Sequence, residues 1–89
     1  MNHGLSNRDT QTIQDILNSY PDVEKVYLFG SRAIGNYHKG SDIDLAVMNE
    51  GISNKTIQSL ISDFEESTLP YFVDVIYFPD LNHVGWMNI

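Results

Sequence analysis

Cysteine is absent from the 89 residues, which excludes both a disulfide framework and a thiolate zinc site. Long apolar runs are absent too. None approaches the roughly 20 residues that a bilayer span requires, and Met1 to Asp9 lack the hydrophobic segment of a signal peptide. A cytoplasmic location without membrane association is therefore expected. Basic residues are scarce, five Lys and Arg against twelve Asp and Glu, giving a formal charge of −7. That balance repels a phosphate backbone, so sequence-independent binding of DNA or RNA is not expected. An acidic chain still binds a triphosphate when a divalent cation neutralises both sides of the contact.

What is present fits one compact domain over residues 1–89, with 42% apolar composition. A chain this short buries only about 60–65% of the surface its unfolded form exposes. Marginal stability is expected, and a partner or a second copy of the chain would add to it.

Ile13, Ile16, Leu17 and Tyr20 recur at helical spacing, with Ser6, Asn7 or Asp9 available as a cap. They predict a first helix over Asn7 to Tyr20, ended by Pro21. Lys25 to Phe29 is β-branched and aromatic and stops at Gly30, which reads as a buried strand. Asp42 to Met48 alternates, with Ile43, Leu45 and Val47 on one face and Asp42, Asp44, Ala46 and Met48 on the other. After a turn at Asn49 to Gly51, Ser53 or Asn54 caps a second helix carrying Ile57, Leu60, Ile61 and Phe64, reaching to about Ser67. Pro70 precedes a third strand, Phe72 to Phe78, which contains Asp74 and closes at Pro79. The tail from Asp80 to Ile89 is ambiguous; Leu81, Val84 and Trp86 suit a partial helical turn, but nothing caps it.

A helix between the second and third strands makes them parallel. Asp42, Asp44 and Asp74, all near strand starts, then converge on one sheet edge. An antiparallel first strand would open its terminal turn, Gly30 and Ser31, onto the same edge. Mixed pairing with helices packed on the sheet is the architecture expected.

Carboxylates two residues apart on a strand are roughly 6.5 Å apart. They repel by about 2–3 kcal/mol at an effective dielectric near 20. Magnesium, which takes oxygen ligands and shares itself with substrate phosphates, removes that repulsion. Two ions about 3.5–4 Å apart can clamp the attacking and leaving oxygens of an in-line displacement. Gly30 admits a phosphate close to the backbone, and Ser31 supplies N–H and hydroxyl donors, the more so if Arg32 to Asn36 begins a short helix. Arg32 adds a charged fork.

The run Gly30-Ser31-Arg32-Ala33, then Gly40-Ser41-Asp42-Ile43-Asp44-Leu45, then Asp74 within Phe72 to Tyr77, resembles the signature of the polymerase-β-type nucleotidyltransferase superfamily. The likeness is greatest to its stand-alone minimal branch, MNT, and covers about residues 10 to 80. It implies an α/β (α+β) fold with a polymerase-β-like core and a small mixed sheet of three or more strands. Asp42 and Asp44 would bind magnesium, two ions in all, and Asp74 would complete the site and help deprotonate an acceptor hydroxyl. Gly30 and Ser31, with Arg32 beside them, would hold a nucleoside triphosphate such as ATP. Members of this branch commonly act as antitoxins beside a small helical HEPN-type protein, in some cases by moving AMP onto its tyrosine. The resemblance implies the same partner here. A non-catalytic antitoxin that masks its partner by contact is the alternative.

Each residue also has a plainer reading. An Asp-x-Asp at a strand start is often a solvated turn, and Asp74 taken alone suits an exposed edge strand; the combination with Gly30 and Ser31 is what marks a site. Arg32 suits an ordinary surface arginine equally well, and Lys39 and Ser41 are weaker candidates. His3, His38 and His83 lack metal-ligand spacing and are expected in solvent. The stripe Ile57, Leu60, Ile61 and Phe64 is core packing. Asp63, Glu65 and Glu66 read as a solvated helix face.

Overall fold

A computed structural model describes residues 3–79 and 87–88. The first helix, α1, is Asn7–Asn18. Ser6 caps it: its hydroxyl accepts from the Asp9 amide at 3.0 Å, and the Asp9 carboxylate accepts from the Ser6 amide at 3.3 Å. This reciprocal box satisfies two donors that a helix start leaves orphaned. The second helix, α2, is Asn54–Glu65, capped by the Ser53 hydroxyl, which accepts from the Thr56 amide. Both helices end a residue or two earlier than the apolar spacing predicts. Beyond each end a serine hydroxyl takes a last-turn carbonyl, Ser19 donating to Ile16 and Ser67 to Phe64, both at 2.6 Å. Side-chain donation of this kind competes with helix continuation.

Four strands form one sheet in the order β3-β2-β1-β4, with β1 at Val26–Phe29, β2 at Ile43–Val47, β3 at Val73–Tyr77 and β4 at Met87–Asn88. β1 is antiparallel to β2, and β2, followed by α2, is parallel to β3. The mixed sheet is the one expected, with one strand more. β4 pairs antiparallel with β1, Tyr27 with Asn88 and Leu28 with Met87. Two residues are too few to show alternation, so nothing local announces them. The expected docking of Leu81, Val84 and Trp86, and the exposure of His83, fall outside the described residues.

Val26, Leu28, Ile43, Leu45, Val47, Val73 and Val75 face one way and pack with Ile13 and Leu17 of α1 and Ile57, Leu60 and Phe64 of α2. Both helices thus cover a single face of the sheet. The Tyr20 hydroxyl ties them together by donating to the Asp63 carboxylate at 2.5 Å, and this bond, with burial and the Asp63 charge, raises the phenol's pKa. Asp63 therefore leaves the solvated row in which it was expected, whereas Glu65 and Glu66 are exposed.

Candidate active site

Alternation along the strands gives the helix-free face to Tyr27 and Phe29 of β1, Asp44 and Ala46 of β2, and Asp74 and Ile76 of β3. The register sets Phe29 opposite Asp44 and Asp44 beside Asp74. Paired strands lie about 4.8 Å apart, so Asp44 and Asp74 are nearest neighbours across the ladder. Asp42 stands two residues before Asp44, just outside the strand. Its side chain and that of Asp74 are exposed, and Asp44 is half-buried. Burial first, then the charges of Asp74 and Asp42, push the Asp44 carboxyl above the ordinary carboxylate range. The expected convergence on one sheet edge is present, with Asp44 at its centre.

β1 delivers Gly30 to this edge. Its φ of +74° is left-handed, a region that side chains with a Cβ avoid. A Cβ built there would collide with the Asp44 carboxylate, whose Cγ would be 3.3 Å away. Glycine is thus required twice, by the turn and by the close approach of the carboxylate. Gly30–Arg32 then forms one 3-10 turn, closed by the Ala33 amide donating to Gly30 and followed by the Asn36 amide donating to Ser31. This corrects the expectation of a helix starting at Arg32: the turn begins two residues earlier, and three residues are too few for a helix dipole. Half-buried Ser31 stays beside Gly30 at the acidic edge.

Arg32 departs from its expected place as a fork for phosphate. It is 1% exposed. Its Nε donates to the carbonyls of Ser41 and Asp42 at 3.1 and 3.3 Å, Nη2 to Ser41 at 2.8 Å, and Nη1 to His3 at 3.1 Å. The guanidinium carbon lies 4.6 Å from the centre of the Tyr71 ring and 5.3 Å from that of Tyr37. Carbonyl oxygens and ring faces stabilise a cation without a carboxylate. Ser41 is also turned inward, its hydroxyl accepting from the His38 amide at 2.9 Å. Lys39 and His38 are exposed, whereas His3 is half-buried with Nδ1 accepting from the Leu5 amide. Tyr37 and Tyr71 carried no signal in the sequence, since neither falls in an apolar period.

Among the described residues no three acidic or imidazole side chains converge tightly enough to enclose an ion. The donor set nevertheless fits magnesium, which usually binds one or two carboxylates and completes its shell with water and substrate phosphates. Asp44, whose carboxyl is raised by burial first and then by two acidic neighbours, is the group a cation would relieve most.

The pattern of the family described as Polymerase beta, Nucleotidyltransferase matches residues 11–85. Two solved structures are similar. One is a toxin-antitoxin crystallised with AMP-PNP, 32% identical over 75% of this chain and 55% of that one, with a TM-score of 0.60. The other, from Sulfolobus solfataricus, is provisionally named a nucleotidyltransferase, 29% identical over 79% of this chain and 62% of that one, with a TM-score of 0.54. This chain thus spans between half and two thirds of their lengths. No curated protein matches it. A family pattern running from α1 to beyond β3, over the edge where the aspartates and the Gly30 turn meet, leaves a plain result: the chain belongs to the polymerase β nucleotidyltransferase family.

Proposed function

We propose that this chain transfers AMP from ATP onto a hydroxyl, with a tyrosine of a cognate HEPN-type toxin as acceptor, and so acts as an antitoxin. The observation that carries the reading is the register pair of Asp44 and Asp74, with Asp42 close enough for its charge to act on Asp44 and Gly30 packed against Asp44. The similarity to a toxin-antitoxin with AMP-PNP supports both the donor and the partner. Asp42, Asp44 and Asp74 are the groups that would hold magnesium, which when bound offsets negative charge on the triphosphate and the aspartates. Gly30 and Ser31 border the triphosphate. The acceptor oxygen forms a bond to the α-phosphorus as the bond to the bridging oxygen breaks and pyrophosphate leaves. Asp74, exposed at the front of the cluster, takes the hydroxyl proton.

Incubation with its proposed HEPN-type toxin partner, labelled ATP and magnesium is expected to label that partner. Asp42→Asn with Asp44→Asn should abolish the label and leave a folded protein. Absence of label with the native chain, together with undiminished neutralisation by the double variant, would establish masking by contact instead.

A further inference from the structure

The geometry assigns Arg32 a positioning role: it fixes the backbone of Asp42 at the mouth of the site by gripping the carbonyls on both sides of the Asp42 Cα, and it does not bind phosphate. This rests on the proposed magnesium-dependent transfer and names a residue that this transfer would need.

Asp44 and Asp74 lie within strands, and pairing to neighbours on the ladder sets their positions. Asp42 lacks that support. β2 begins at Ile43, whose amide makes a rung to the Phe72 carbonyl at 2.9 Å. The Ser41 carbonyl precedes the Asp42 Cα and the Asp42 carbonyl follows it, and Arg32 donates to both. Holding two successive peptide planes from one rigid guanidinium fixes the dihedral angles between them, and thereby the direction of the Asp42 side chain. The turn leading in is closed by the Ser41 amide donating to the His38 carbonyl and the His38 amide donating to the Ser41 hydroxyl. Every guanidinium nitrogen is engaged with a carbonyl, and the group is 1% exposed. Arg32 therefore connects the Gly30–Ser31 turn, on its own element, to the carboxylate least supported by the sheet. Tyr71, against the guanidinium, immediately precedes the Phe72 carbonyl that starts the β2–β3 ladder. Lysine would keep the charge but not the planar fork.

The test uses the full ¹⁵N-labelled chain and Mn²⁺ as a paramagnetic probe. In the native protein, low Mn²⁺ should broaden the amides of Asp42, Asp44 and Asp74 selectively. In Arg32→Lys, checked for native circular dichroism, Mn²⁺ affinity should fall about 10- to 100-fold. Broadening at Asp42 should weaken first, and ATP affinity measured in EDTA should be unchanged. Unaltered Mn²⁺ affinity in a folded Arg32→Lys variant overturns the positioning role alone. So does loss of metal-free ATP affinity, which would make Arg32 a phosphate ligand. Absence of selective broadening in the native chain overturns the metal-site reading, and the positioning role with it. Where the variant does not fold, the native chain decides. The Arg32 Nε–H should exchange slowly with solvent and keep its chemical shift on addition of ATP; a shift that follows ATP overturns the assignment.

Discussion

Asp44 holds its charge in the least favourable place on its face, half-buried and flanked by Asp42 and Asp74. Its raised pKa has a definite consequence for stability. Between the ordinary carboxylate value of 3.8 and the raised one, the folded state binds more protons than the unfolded state. Stability therefore falls as pH rises through that window. Without divalent cation, Asp44→Asn is expected to melt at a higher temperature than the native chain at pH 7. The two should converge as pH falls toward 4, as thermal scans in EDTA would show. Much of this was legible in the sequence, because a spacing of two at the start of a strand keeps Asp42 near Asp44, close enough for its charge to act on that carboxyl. The difference in burial between them was not. It depends on Asp44 having neighbours on both sides, Phe29 and Asp74, whereas Asp42 precedes the strand. The inward placement of Arg32 was not legible for a related reason: a side chain in a loop can turn out to a ligand or in to carbonyls, and only the packed loop decides.

At the scale of elements, β1 and β2 meet most closely where Gly30 leaves the ladder against Asp44. Gly30→Ala should destabilise by about 1–2 kcal/mol from the left-handed backbone alone, with a further loss from the collision. In an Asp44→Ala background the collision is removed and only the backbone contribution should remain. Urea unfolding of the four proteins in a double-mutant cycle measures the difference; equal losses in both backgrounds would mean that the contact is not sterically limiting. The helices and three of the four strands were legible because each carries its own period and its own stop, as with Ser6 before α1 and Pro70 before β3. β4 was not, since it exists through the edge that β1 offers.

For the whole molecule, a formal charge of −7 combines with an acidic edge on one face of the sheet and both helices on the other. No helix among the described residues is long and apolar enough to cross a membrane. In such a molecule a divalent cation acting at one place should stabilise the entire fold. Magnesium at a hundredfold excess over its Kd is expected to add about 2.7 kcal/mol. Sodium chloride at equal ionic strength should add less, and Asp42→Asn with Asp44→Asn should lose the magnesium-specific part; denaturant titrations separate the two contributions. An equal response to both salts would point to general screening instead.

The pairing of Asp44 with Asp74 also makes fidelity of assembly and competence for chemistry one and the same property. Along β3 the one carboxylate-bearing position, Asp74, lies between two valines buried under the helices, Val73 and Val75. Sliding that strand by a single step would drive Asp74 into oil and bring an apolar side chain to the reactive edge. A mispaired molecule could not persist as a stable, silent counterfeit, because the error that blanks the site also unseats the core.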